Sequence, residues 1–230
     1  MTVTLQRVRG MPVETKHAVV TGGTGDLGSA VAAALRDSAW TVRAPGRDEL
    51  DVTDVTSVRR YFHRKPVDLL VCAAGMTHDL LLARTSSEIW DKVWNVNFKG
   101  AENCALAAFP EMALRKTGHI VFLSSHSALH PPKGQVAYAS AKAALLGLVA
   151  GLAAHGGPAN VRVNVVLPGF LETRMTRSVT EARRSEILAS HVLGRFNTCE
   201  QTADFIRFLH ERLPHTSGQV FQLDSRTQLP

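Results

Sequence analysis

The feature that most constrains the fold is a glycine-rich turn between a strand-like run and a helix-like run. The β-branched-rich residues 17–20 lead into Thr21-Gly-Gly-Thr-Gly-Asp-Leu-Gly28, and the alanine-rich residues 29–35 follow. Glycines in this position let the backbone pass close to a diphosphate, which the N-terminus of the following helix attracts. The sequence therefore predicts a dinucleotide-binding turn, with an ordinary tight turn as the alternative.

Apolar strand-like runs alternate with helical patterns along the rest of the chain. Residues 67–72, 119–123 and 161–166 are nearly unbroken apolar runs, which is typical of strands buried on both faces. Helical patterns cover residues 87–108 and 138–154. This alternation predicts an α/β fold with a doubly wound, Rossmann-like parallel sheet.

The chain has 230 residues, of which 45% are hydrophobic, so it can bury one large core. Without repeats or linkers, we expect a single domain over residues 16–230 behind a polar N-terminal leader, residues 1–15. Only seven residues separate Arg43 from Asp51, whereas a parallel crossover usually needs about a dozen. The second crossover helix is therefore expected to be shortened or absent.

Composition narrows the partners and the compartment. The net charge of +6 is scattered, and we expect neither nucleic-acid nor membrane partners. Cys72, Cys104 and Cys199 lack ligand spacing, which favours reduced thiols without a metal site. No signal peptide is recognisable, and no apolar run approaches the roughly 20 residues of a membrane span. A cytoplasmic protein is expected.

The end of the second strand bears on the choice of dinucleotide. Folds that prefer NAD carry an acidic residue about 20 positions after the glycine turn. Arg43 stands there, and Arg47 follows past a turn. A cation suits the 2′-phosphate, so the sequence favours NADP over NAD. A solvated strand-end arginine is the alternative.

Tyr138 and Lys142 stand four residues apart in a helical pattern. Residues i and i+4 share one face of a helix, so the phenol and the ammonium are expected side by side. A nearby cation favours phenolate and should lower the pKa of the tyrosine from about 10. A helix-surface pair without chemical meaning is the alternative.

The glycine turn, Asn97, Ser125, Tyr138 and Lys142 together resemble the short-chain dehydrogenase/reductase family from about residue 17 to residue 224. Ser125 stands thirteen positions before Tyr138, which is the family's usual interval. Within the family the sequence is most similar to the 3-oxoacyl-[acyl-carrier-protein] reductases. Further segments that support the resemblance are Cys72-Ala-Ala-Gly75, Asn95-Val-Asn97 and Pro168-Gly-Phe-Leu-Glu-Thr173.

The resemblance implies NADPH-dependent reduction of a ketone, with a 3-oxoacyl thioester as substrate. It implies that Tyr138 is the general acid, Lys142 assists it, Ser125 holds the substrate oxygen and Asn97 positions a relay water. It also implies a homodimer or homotetramer, with acyl carrier protein as a possible carrier of the substrate. The implied cofactor contacts are Tyr138 and Lys142 together with Gly22, Thr24, Gly25, Asp26, Leu27, Gly28, Arg43, Asp51, Val52, Cys72, Ala73, Ala74, Gly75, Pro168, Gly169, Leu171 and Thr173.

Three departures from the family pattern leave alternatives open. Cys72 replaces a usual asparagine, Asp26 stands where many members have glycine, and Ser225-Arg226 replaces a frequent Gly-Gly. An acid beside a diphosphate is unfavourable unless it points to solvent. The alternatives are turnover of another carbonyl or alcohol, such as a steroid, sugar or xenobiotic, and a regulatory nucleotide-binding protein without turnover.

Overall fold

In this computed structural model, a central sheet of parallel strands determines where the site lies. The structure describes residues 15–38 and 40–227, so most of the expected leader lies outside the described residues. In those ranges the sheet has six strands in the order β2-β1-β3-β4-β5-β6. The strands are β1 (His17–Thr21), β2 (Thr41–Arg43), β3 (Leu69–Cys72), β4 (Gly118–Leu123), β5 (Val161–Leu167) and β6 (Val220–Gln222). The strand order reverses beside β1, and a crevice is expected there at the carboxyl ends of the strands.

Helices cover both faces of the sheet. They are α1 (Asp26–Arg36), α2 (Val55–Phe62), α3 (Ser87–Trp94), α4 (Gly100–Arg115), α5 (Val136–Gly156), α6 (Glu181–Ala189) and α7 (Cys199–Arg212). Successive strand residues point to opposite faces, so Val20 packs in the cluster with α1 and α7, and Val19 packs in the cluster with α2, α4 and α5. The predicted doubly wound, single-domain α/β fold is confirmed.

The connection after β2 is short, as expected. Residues 44–54 contain neither a helix nor a strand, and α2 then carries the chain to β3. The segment folds back on the glycine turn, because the N–H of Gly23 donates to the carbonyl of Pro45 at 3.0 Å. The second crossover helix is thus shortened to the eight residues of α2, as expected, and a loop forms this part of the crevice wall.

The long helix predicted over residues 87–108 is not continuous. A π-helical segment, Asn95–Lys99, joins α3 to α4. In a π-helix each N–H bonds to the carbonyl five residues back, which widens the helix locally. Asn97 lies in this segment and is fully buried.

Helix α5 is more apolar than we expected from the sequence. The helical stretch Val136–Ala159 is long and apolar enough to cross a membrane, with a mean hydropathy of 1.6 over a window that is 33% buried. The expectation that no apolar run approaches that length is therefore wrong. Core packing accounts for part of this composition, since Leu145 and Val149 belong to the core on one face of the sheet.

Candidate active site

A crevice of about 1640 Å³ opens at the carboxyl ends of the central strands. The four predicted catalytic residues, Asn97, Ser125, Tyr138 and Lys142, all line it. Most of the expected cofactor contacts line it too, namely Gly22, Thr24, Gly25, Asp26, Leu27, Gly28, Asp51, Val52, Ala73, Ala74, Gly75, Pro168, Gly169, Leu171 and Thr173. The fold therefore brings residues from distant parts of the sequence to one cavity.

The glycine turn has the geometry of a phosphate cradle. Gly22 has a φ of +65°, and a Cβ there would lie 2.8 Å from the Cα of Ala74. A Cβ on Gly28 would lie 2.3 Å from the carbonyl oxygen of Gly22. Larger residues would fill this space, so the turn requires glycine.

Helix α1 begins without a side-chain cap at Gly25. By contrast, side chains cap α2, α3, α6 and α7, from Asp54, Ser86, Thr180 and Thr198. The first N–H groups of α1 are therefore left for another acceptor, and a helix N-terminus favours an anion. The residues present fit the diphosphate of a dinucleotide.

Asp26 does not stand alone beside this cradle. The Nε of Arg174 donates to Asp26 Oδ1 at 2.8 Å, and the backbone N–H of Arg174 donates to Oδ2 at 2.6 Å. The same guanidinium also donates to the carbonyl of Thr24. Bonding to Arg174 lowers the pKa of Asp26, so the carboxylate is charged and paired. The unfavourable acid expected from the sequence is therefore largely neutralised.

Two expected cofactor contacts, Arg43 and Cys72, are not among the described residues that line the crevice. The guanidinium of Arg43 donates to the carbonyl of Pro66 at 2.7 Å. Cys72 is buried, and burial raises the pKa of its thiol well above the ordinary value. Neither side chain lines the crevice, so the structure gives these two expected cofactor contacts no support. Arg47 lines the crevice instead, with its Nη2 atom 3.3 Å from Asp51.

Lys142 is held at the end of β4. Its Nζ donates to the carbonyl of Leu123 at 2.8 Å, while Ser124 Oγ donates to the Lys142 carbonyl at 2.8 Å. Burial lowers the pKa of Lys142 to about 8. The ammonium is therefore still largely protonated at pH 7.

Asn97 links the π-helical segment to the loop after β3. Its Nδ2 donates to the carbonyls of Met76 and Val93, both at 2.8 Å, and its Oδ1 accepts from the N–H of Met76 at 3.3 Å. A Cβ on Gly75 would lie 3.0 Å from Asn97 Oδ1 and 3.7 Å from Lys142 Nζ. Asn97 and Lys142 thus approach the same glycine.

Tyr138 behaves differently from the sequence expectation. Burial raises its pKa above the ordinary value, a hydrogen bond with Ser125 opposes this, and the charge of Asp79 raises the pKa further. The Nζ of Lys142 is 5.8 Å from the centre of the phenol ring and donates to a backbone carbonyl. The expectation that Lys142 lowers the pKa of Tyr138 is therefore wrong for this structure.

Ser125 also begins a chain of polar contacts that sequence reasoning missed. Its Oγ accepts from the N–H of Ser127 at 3.1 Å, and Ser127 Oγ donates to Gln135 at 3.0 Å. Gln135 in turn donates to Asp79 at 2.7 Å. This chain joins the end of β4 to the N-terminus of α5 and to the loop after β3.

The fold and the crevice together define an oxidoreductase that uses a nicotinamide dinucleotide. The sequence model of the short chain dehydrogenase family matches residues 47–184. The chain belongs to this family and is an NAD(P)-dependent oxidoreductase.

Several relatives of this chain are named 3-oxoacyl-[acyl-carrier-protein] reductases. The chain is 33% identical to the 3-oxoacyl-[acyl-carrier-protein] reductase FabG of Thermotoga maritima, over 93% of this chain and 98% of that protein. It is 32% identical to the 3-oxoacyl-[acyl-carrier-protein] reductase MabA of Mycobacterium bovis, over 97% of each chain. The FabG protein of Chlamydia trachomatis is 36% identical over 69% of this chain and 64% of its own length.

Proposed function

We propose that this protein reduces the ketone of a 3-oxoacyl thioester to a secondary alcohol with NADPH. The observation that carries the proposal is that Ser125, Tyr138 and Lys142 line the same crevice as the glycine turn. This turn leads into α1, a helix that begins without a side-chain cap. The names of the relatives support the thioester as substrate and acyl carrier protein as its carrier.

In this proposal Tyr138 gives its proton to the substrate oxygen. Its raised pKa keeps the phenol in the acid form at neutral pH. Ser125 donates a hydrogen bond to the same oxygen, and the bound nicotinamide supplies the hydride. The positive charge of Lys142 stabilises the phenolate that proton transfer leaves behind, which is a transition-state effect. Asn97 holds the neighbouring loop and, as in the resemblance, positions a water for proton return.

The choice of NADPH depends on Arg47. This side chain is 78% exposed, lines the crevice near Asp51 and can turn towards a 2′-phosphate. Arg47→Ala should raise the KM for NADPH by about tenfold, the value of one charge-assisted contact, and leave the KM for NADH unchanged. Equal effects on both cofactors would contradict the assignment, and Arg36→Ala, which changes a cation at the far end of α1, is a matched control.

The decisive assay follows absorbance at 340 nm with an acetoacetyl thioester and either NADPH or NADH. Tyr138→Phe should lower kcat by about 10²- to 10⁴-fold, the range of general acid catalysis, with NADPH affinity retained. Turnover equal to that of the wild-type protein would remove Tyr138 from the mechanism. Tyr61→Phe, the other tyrosine of the chain, is the control and should keep its activity.

Assembly and compartment are part of the same proposal. We propose a homodimer or homotetramer in the cytoplasm, with contacts through α4 and α5. Leu106 and Leu114 on α4 are 54% and 81% exposed, and α5 is apolar well beyond its buried positions. Light scattering after size-exclusion chromatography tests this, and a monomer at micromolar concentration would contradict it.

A further inference from the structure

The segment after β6 places an arginine in the crevice wall. Arg226 lines the cavity together with His126, His130 and Ser190. Its charge acts on the imidazole of His126, the residue that directly follows Ser125. The arginine is therefore near the point where the substrate oxygen is proposed to bind.

Asp224 fixes the direction of this guanidinium. The Asp224 side chain is fully buried, and the Arg226 side chain is 13% exposed. Arg226 donates to Asp224 through Nε at 2.8 Å, through its backbone N–H at 3.2 Å and through Nη2. Gln222 also donates to Asp224 at 2.8 Å. A paired, buried arginine loses little additional conformational entropy when it binds a ligand.

The backbone of this segment is fixed from the other side as well. His191 and Arg226 form an antiparallel bridge, and the N–H of Val192 donates to the carbonyl of Ser225 at 3.1 Å. The segment is thereby attached to the chain just after α6. Arg226 is held between the end of the sheet and the helix that borders the crevice.

Part of the guanidinium remains available. The Nη1 atom of Arg226 makes no hydrogen bond with the residues that the structure describes, and it is not among their buried unpaired atoms. Burial and the charge of Arg226 lower the pKa of His126 to about 4, so this imidazole is neutral at pH 7. On α6, Arg183 is already paired with Glu186 at 2.6 Å. A fixed donor with a positive charge therefore remains at this wall.

We propose that Arg226, with the imidazoles of His126 and His130, binds the carboxyl-derived oxygen of a 3-oxo substrate. In such a substrate the carboxyl carbon lies two bonds from the reacting ketone carbon. Ser125, His126 and Arg226 all line one crevice, so a substrate whose ketone oxygen contacts Ser125 can place its second oxygen beside His126 and Arg226. Arg226 is then a specificity-determining residue for 3-oxoacyl compounds.

This inference rests on the proposed ketone reduction and adds the group that selects the substrate. A thioester carbonyl and a free carboxylate share the acceptor chemistry, and both can accept from an arginine. Simple ketones lack such an oxygen. The side chain should therefore separate 3-oxo compounds from simple ketones, while cofactor binding does not depend on it.

The test compares acetoacetyl thioester, acetoacetate and butanone as substrates of the wild-type protein and Arg226→Met. For the variant, kcat/KM should fall about 10- to 100-fold on both 3-oxo compounds, mainly through KM, as expected for one charged hydrogen bond. Butanone turnover and NADPH affinity should change less than about twofold, because neither makes this contact. A larger loss for acetoacetate would identify a carboxylate as the preferred group, and a larger loss for the thioester would identify a neutral carbonyl.

A second variant guards against misfolding, since Arg226→Met leaves the Asp224 carboxylate buried without its cation. In Asp224→Asn/Arg226→Met the charge is removed with its partner, and the same selective loss is expected. Unchanged kcat/KM on both 3-oxo compounds, or a parallel loss on butanone, would overturn the inference. A wild-type protein that reduces no ketone with either cofactor would instead contradict the proposed function.

Discussion

At the residue scale, the proposed chemistry depends on the charge of one lysine whose pKa lies close to neutral pH. Burial lowers the pKa of Lys142 to about 8, whereas the pKa of Tyr138 is raised above its ordinary value. The two groups therefore titrate in different ranges, and the lysine loses its charge first. The pH dependence of turnover distinguishes their roles.

The first residue-scale prediction concerns that pH dependence. If the ammonium is required, kcat/KM for NADPH should fall tenfold per pH unit above about pH 8, because kcat/KM reports ionisation of the free enzyme. The Lys142→Met variant should have a lower kcat/KM at every pH, and this kcat/KM should not fall near pH 8. Stopped-flow rates between pH 6 and pH 10 measure this. A wild-type profile that is flat to pH 9.5 would contradict the role of the charge.

The second residue-scale prediction concerns Asp26 and Arg174. Arg174→Met leaves the Asp26 carboxylate unpaired beside the diphosphate, which should weaken NADPH binding by about tenfold. Asp26→Asn/Arg174→Met removes the repulsion and should recover most of the affinity. Arg60→Met, which removes an exposed cation of α2, is the matched control. Fluorescence titration of NADPH measures all three, and a double variant no better than Arg174→Met would contradict the pairing.

The sequence was enough to select the proposed catalytic set, but it did not predict the surroundings of each group. Tyr138, Lys142 and Ser125 are near in sequence, so helical spacing and a family interval were enough to select them. Asp26 and Arg174 are 148 positions apart, and no local pattern indicates that they pair. The direction of the Tyr138 pKa also depends on tertiary burial, which the i,i+4 argument left out. The one signal of Arg226 was its place where the family often has glycine.

At the element scale, the π-helical segment between α3 and α4 was not predicted from the sequence. Apolar periodicity predicts one helix over residues 87–108, because a single extra residue in a π-helical turn barely changes the pattern. Asn97 makes its three contacts from that widened turn. By contrast, the shortness of the connection after β2 was predictable, since chain length alone limits it.

An element-scale prediction follows for Asn97. Asn97→Ala leaves the carbonyls of Met76 and Val93 without their buried donor, which should lower the free energy of unfolding by about 2 to 3 kcal/mol. Asn103→Ala on α4 removes one hydrogen bond to Val52 and should cost about 1 kcal/mol. Urea denaturation measures both. Equal losses would show that the buried π-helical position is not special.

At the scale of the whole molecule, two histidines that meet between β4 and α7 are expected to limit the stability of the protein in acid. His119 is fully buried, its ring stacks on His210 at 5.5 Å, and its Nε2 lies 3.0 Å from Asn164 Nδ2. Burial lowers the pKa of His119 well below its ordinary value and that of His210 to about 3. His210 is therefore neutral in the native protein at pH 5, where histidines of an unfolded chain are protonated, and the pKa of His119 is shifted in the same direction.

The corresponding prediction is a loss of stability with falling pH. The unfolded state binds more protons below about pH 6.5, so the free energy of unfolding is complete above that pH and decreases as the pH falls towards 3. His210 should contribute about 1.4 kcal/mol per pH unit in this window, and His119 should act in the same direction. Urea denaturation between pH 4.5 and 7.5 measures the slope. His210→Phe should reduce it and exposed His63→Gln should not, so equal slopes would contradict the assignment.

The short connection after β2 has a consequence for the cofactor. Residues 44–54 form only a loop at this end of the crevice, so a nucleotide whose 2′-phosphate met Arg47, as proposed, would have a loop and not a helix of this segment beside its adenine. Bulky groups attached to that ring, such as a fluorescent dye or the tether of an affinity resin, would project into water without steric conflict. This enzyme should therefore accept immobilised and labelled nucleotides that a fully walled pocket would refuse.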